Sequence, residues 1–159
     1  MSVRSTVKAI ILDNGKVLLN RCYDEPNGNY YSLPGGGQEK YETLHDALVR
    51  ECLEETGYTV EPFRFAALME EICDSAFIRE TYPEYAHKML HFFVCRLASR
   101  EVKKPTETDS SQIASEWVDL QEVKNLNLLP KAVKTHFTEL IESERAMFLG
   151  SEHIPVNHG

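Results

Sequence analysis

The sequence predicts an α/β fold, a mixed β-sheet held between helices, and three observations carry that expectation. Two apolar runs near the start are separated by Asp13-Asn14-Gly15, the signature of a hairpin. A capped helix with an acidic side follows over about 44–56. Further on, 87–97 contains the nearly continuous apolar run Phe92 to Cys95, which reads as a central strand. With 159 residues, 42% of them hydrophobic, the chain can bury one core; residues 1–149 are expected to form a single domain and 150–159 a tail without an organising pattern.

The hairpin arms are 6–12 and 16–21. Turn residues make 24–29 a loop, and 30–33 is a short strand leading into Gly35-Gly36-Gly37. These glycines let the backbone approach a neighbouring group closely. In the helix, Thr43 is the N-cap with Asp46 three residues on, and Gly57 supplies the left-handed residue that ends it. Leu48, Val49, Cys52 and Leu53 form the packing side, with small Ala47 on the carboxylate side, where a loop can come close.

Glu51, Glu54 and Glu55 crowd into one sector, and like charges so placed cost roughly a few tenths of a kcal/mol per pair. Either solvent screens them, as on an ordinary charged face, or a cation offsets them. Oxygen-only ligands suit Mg²⁺ or Mn²⁺, which complete their shells with waters and substrate phosphates. Arg50 is placed to orient Glu51 through a paired hydrogen bond. Glu54 and Glu55 are expected to face away from the core.

After the helix, 63–72 alternates well enough for a strand, and 73–86 reads as an irregular loop whose Tyr82 and Tyr85 either stack on a base or pack the loop down. The stretch 103–111 is a polar loop, 114–120 a late strand and 120–126 a short helix. Pro130 opens a final helix through about 146, with Val133, Phe137, Leu140 and Ile141 as its apolar stripe. Arg21, near the end of its strand, reaches either solvent or a substrate phosphate.

The spacing of Gly36, Glu42, Arg50-Glu51, Glu54-Glu55 and Gly57, ending at Tyr58, resembles the Nudix box of the Nudix hydrolases over 36–58. Cys52 and Tyr58 stand where the box has aliphatic residues, and Tyr31 where Trp is common in the approach to it. The resemblance implies a Nudix-type α/β/α sandwich and metal-dependent hydrolysis of a phosphoanhydride bond in a nucleoside diphosphate derivative. It implies metal ligation by Glu51, Glu54, Glu55 and the Gly35 carbonyl, with Arg50 holding Glu51 and with Gly36, Glu42 and Gly57 in support. The family takes its general base from the box or from a later loop; Glu54 comes first here, with Glu107, Asp109 and Glu116 as the other candidates.

The proline of ADP-ribose-cleaving members is absent near Asp74, the tyrosine of dinucleoside-polyphosphate members has no nearer counterpart than Tyr82, and the coenzyme A signature is missing. A nucleoside triphosphate or oxidised nucleotide is the substrate left, ahead of ADP-ribose or a nucleotide sugar. A domain that binds nucleotides without cleaving them is the other reading, although such domains typically lose the box carboxylates kept here.

A net charge of −8 argues against a nucleic-acid polymer or an anionic membrane surface as partner. No signal peptide or apolar run approaching the ~20 residues of a membrane span is seen, so a cytoplasmic protein is expected. Cys22, Cys52, Cys73 and Cys95 lack metal or redox spacing and are expected to be reduced and mostly buried. A homodimer is left open.

Overall fold

In the computed structural model, which describes residues 2–158, the mixed sheet has eight strands. β1 (Arg4–Asp13) and β2 (Lys16–Asp24) form the hairpin. Asn14 and Gly15 both have positive φ, 49° and 73°, a two-residue turn whose twist matches that of the strands it joins. β3 (Gly28–Ser32) adds to β2, and β4 (Gly35–Gly37) brings the glycines back antiparallel against β1. Helix α1 (Leu44–Thr56) has the bounds expected of it.

β5 (Tyr58–Cys73) and β6 (His87–Val102) pair antiparallel, and β6 also pairs parallel with β1, which makes it central. β7 (Gln112–Asp119) returns to β2. The face toward α1 buries Val7, Ala9, Ile11, Leu48, Cys52 and Phe93. The opposite face buries Ile10, Leu33, Phe92, Val133, Phe137 and Leu140 against the later helices. Helices thus cover both faces, and all four cysteines are free and buried.

Three segments differ from expectation. The stretch 73–86 holds a short helix, α2 (Ala76–Thr81), and a 3₁₀ turn, Pro83–Tyr85. Neither buries a side chain, so neither leaves an apolar stripe in the sequence. The expected last helix is two, α3 (Lys131–Thr135) and α4 (Phe137–Glu142), parted at His136; no Gly or Pro within 131–146 marks the break. The 120–126 segment holds the short helix expected of it, in 3₁₀ form, Leu120–Asn125.

The supposed tail is organised: β8 (Met147–Ile154) pairs parallel with β5 at the sheet edge. Its polar side chains are held across the sheet, Ser151 Oγ donating to Glu70 at 2.7 Å and His153 Nδ1 lying 2.8 Å from Asp74. Such partners are invisible in a local hydropathy pattern, which sees only a polar segment.

Candidate active site

The capping residues of α1 place its charged side. The Asp46 N–H donates to Thr43 Oγ1 at 3.1 Å, and Gly57, at φ 79°, donates its N–H to the Leu53 carbonyl. A Cβ on Gly57 would collide with the backbone carbonyl of Lys103. That close approach lets Lys103 N–H donate to Gly57 O at 2.8 Å, while Thr106 and Glu107 N–H both donate to Glu54 O at 3.0 Å. Carbonyls that the helix end leaves bare are thereby satisfied by the 103–111 loop. The loop is laced to the helix, and its Glu107 and Asp109 reach the same cavity as the helix carboxylates.

Arg50 is the hub of the acidic side. Its Nε and Nη2 donate to the two oxygens of Glu42 at 2.8 and 2.9 Å, and Nη1 donates to Glu51 at 2.9 Å and Glu54 at 3.3 Å. The paired bond expected for Glu51 therefore goes to Glu42, and Glu51 receives one arm only. The Arg50 guanidinium holds the Glu42 carboxyl well down, at about 2, and is itself raised by Glu42 and Glu51. Nη2 also reaches the Gly37 carbonyl at 3.1 Å, which ties the glycine loop to the helix. At Gly36 a Cβ would lie 2.5 Å from Glu51 Oε2, so the carboxylate rests directly on the backbone.

Glu55 does not face solvent: it is 7% exposed, and its Oε1 accepts from Asn20 Nδ2 and from Gly35 N–H, each at 3.1 Å. Burial raises it to about 7, against the downward pull of the Lys8 charge and the Gly35 N–H, with Glu51 and Asp109 adding to the rise. Glu54 is also raised, by burial first and then by the charge of Glu51. Gly35 enters the site through its N–H, which donates to this same Glu55 oxygen.

These groups open on a cavity of about 660 Å³. Glu51, Glu54, Glu55, Gly35 and Gly36 line it, as do Glu107, Asp109, Tyr82 and Tyr85. Arg21 and Glu116 do not: Arg21 Nε donates to Glu116 at 2.6 Å, and the Tyr31 hydroxyl donates to the other Glu116 oxygen at 3.2 Å. The two form a strand-to-strand ion pair between β2 and β7, outside the cavity lining. Glu42, Arg50 and Gly57 lie outside the cavity lining.

Sequence reasoning missed the rest of the cavity lining, to which Arg4, Thr6, Lys8, Lys88, Asn157 and His158 contribute. One signal was available: Arg4, Thr6 and Lys8 alternate within an apolar strand, which sets three polar side chains on one face. Asn157 and His158 carried none, because they arrive through β8.

Among the described residues, no three His, Cys, Asp or Glu side chains are gathered closely enough to hold a metal ion. Glu51 and Glu54 are instead turned to Arg50. The donor set still fits a hard cation, since its carboxylates share one cavity and Glu55 carries a raised pKa that a nearby positive charge would relieve.

The family model of the NUDIX domain matches residues 3–139. A Caenorhabditis elegans protein named as a nudix hydrolase is 30% identical over 128 residues, which is 77% of this chain and 31% of that protein; the chain thus spans about a third of that relative's length. In structure, a NUDIX hydrolase from Nitrosomonas europaea superposes with a TM-score of 0.71 at 19% identity, covering 91% of this chain and 93% of that one. A MutT protein from Bacillus halodurans gives 0.69 at 23% identity, over 96% and 91%. An ADP-ribose pyrophosphatase from Streptococcus suis gives 0.62 at 23%, over 95% and 100%.

Proposed function

The chain belongs to the Nudix hydrolases, and from that premise we propose that it cleaves a phosphoanhydride bond of a nucleoside triphosphate or oxidised nucleotide. The observation that carries the reading is that Glu51, Glu54, Glu55, Glu107 and Asp109 line one cavity. Nudix hydrolases generally use a divalent metal, and we assign Mg²⁺ or Mn²⁺ to Glu51, Glu54, Glu55 and the Gly35 carbonyl. Such an ion, when bound, neutralises phosphate oxygens and lowers the pKa of a bound water.

The chain's own residues supply the rest. Glu54, partly desolvated and next to the negative Glu51, has a raised proton affinity and is our first choice to accept the proton of the attacking water. Glu107 and Asp109, carried by the loop laced to the helix, line the same cavity and are the other candidates from that loop. Arg50 restrains Glu51 and Glu54 from one side while Glu42 fixes Arg50. Tyr82 and Tyr85, both exposed on the cavity rim, offer aromatic faces to a base. Among the described residues no helix is long and apolar enough to cross a membrane, and we place the reaction in the cytoplasm.

An ADP-ribose or nucleotide-sugar substrate is the second reading, favoured by the fold shared with the Streptococcus suis ADP-ribose pyrophosphatase and a UDP-X diphosphatase. Product analysis decides between the two. Purified protein with Mg²⁺ or Mn²⁺ is given nucleoside triphosphates, oxidised dGTP, ADP-ribose, sugar nucleotides and dinucleoside polyphosphates. Turnover of triphosphates, abolished by Glu54→Gln in a folded variant, is the expected result. Turnover confined to ADP-ribose or sugar nucleotides would replace the substrate, and undiminished activity in Glu54→Gln would overturn its role.

A further inference from the structure

The β1 side of the cavity is where the apolar face of the sheet runs out. Arg4, Thr6 and Lys8 share one face of β1, and the same row continues inward as buried Ile10. Arg4 pairs with Lys88 on β6, and Lys88 with Glu71 on β5, so Arg4, Lys88 and Glu71 form one cross-strand row. Next inward, Thr6 pairs with Leu90 and Lys8 with Phe92, both buried.

The charges on this wall are not equally matched. Lys88 Nζ lies 3.7 Å from Glu71, whose other oxygen is 3.0 Å from His158 Nε2, and Glu71 is 1% exposed. Lys88 is therefore already answered. Arg4 and Lys8 form no ion pair among the described residues. The Arg4 guanidinium stands 4.7 Å over the Tyr85 ring and against Gly37, where a Cβ would collide with it. Lys8 Nζ donates to the Leu33 carbonyl at 3.3 Å.

Between the two cations lies Thr6, 4% exposed, which lines the cavity and whose Oγ1 has no hydrogen-bond partner. A buried hydroxyl left unbonded is costly, so natural proteins seldom keep one without a purpose. Two cations outside any close ion pair, with an unbonded hydroxyl between them, in a chain of net charge −8, match a tetrahedral oxyanion.

We propose that Arg4, Thr6 and Lys8 seat the terminal phosphate of the substrate, so that the preferred substrate ends in a free phosphate and not in a neutral sugar. This rests on the hydrolase reading above and names its substrate class. Arg4 and Thr6 are specificity residues, acting on the end of the substrate and not on the water or the scissile bond.

The test uses inorganic tripolyphosphate as probe, its dissociation constant measured by calorimetry in chelator so that the protein's own cations are read. Arg4→Gln and Thr6→Val should each weaken binding about tenfold or more, while Lys131→Gln, a charge-matched change on α3, leaves it unaltered. Thr6→Val removes only an unbonded hydroxyl and should match the parent in Tm, which separates lost binding from lost folding.

In turnover, Arg4→Gln should raise KM for the triphosphate about tenfold and leave inhibition by the matching nucleoside monophosphate unchanged. Parental affinity for tripolyphosphate in both variants, or an equal loss of triphosphate and monophosphate binding, would overturn the seat even if hydrolysis stands. If no anhydride is hydrolysed, the hydrolase reading fails, and the calorimetry still decides whether these residues hold a phosphate.

Discussion

The Glu42–Arg50 pair allows a prediction whose size and pH dependence both come from geometry. Glu42→Gln removes the charge that receives two short bonds from the guanidinium. The Glu42 carboxyl is held down from 4.5 to about 2, a difference of roughly 3 kcal/mol between its two protonation states. The pair lies at the protein margin, with side chains 15% and 26% exposed, and solvent screening reduces its worth to about 2 kcal/mol. For a chain of this size that is a Tm loss of about 4–8 °C at neutral pH.

The sign follows from the lowered pKa. Because the folded value lies below the unfolded one, the stabilisation is complete above the unfolded pKa and is lost as pH falls toward 2. Urea denaturation of parent and variant at pH 7, 5 and 3 should therefore show a gap that is full at pH 7 and closes toward pH 3. A gap of constant size at all three values, or no gap at pH 7, would show that the pair does not act through charge and would refute the reasoning.

Two further outcomes are expected. Gly57→Ala, which forces a side chain into the left-handed conformation and onto the Lys103 carbonyl, should cost about 2 kcal/mol or more; a thermal midpoint within about 2 °C of the parent would count against it. Mg²⁺ at about a hundred times its Kd should stabilise the protein by roughly 2.7 kcal/mol in thermal denaturation, a gain removed in Glu55→Gln, and chelator should stop hydrolysis; hydrolysis indifferent to chelator would contradict a metal-dependent site.

How far the sequence reveals this site depends on the range of the interactions that build it. Helix α1 was legible to its ends because Thr43, Gly57 and the apolar stripe of Leu48 and Cys52 act within a few residues of one another. The central position of β6 was legible because burial on both sides leaves an unbroken apolar run. Arg50's allegiance was not, since its choice of Glu42 over Glu51 depends on how the glycine loop folds back onto the helix. Glu55 illustrates the same limit: helical spacing sets its direction, but its burial comes from Asn20 and Gly35 on other strands. Arg21 and Glu116, 95 residues apart, looked free because each is the other's partner. β8 escaped notice because a polar edge strand is stabilised by what lies beside it and not by its own pattern.

The lacing of the 103–111 loop to the end of α1 has a consequence for how substitutions there are read. Because Lys103, Thr106 and Glu107 hang by their backbone N–H groups on the carbonyls of Gly57 and Glu54, a change that loosens the helix end also displaces the cavity's Glu107 and Asp109, so fold and chemistry shift together at this corner of the molecule.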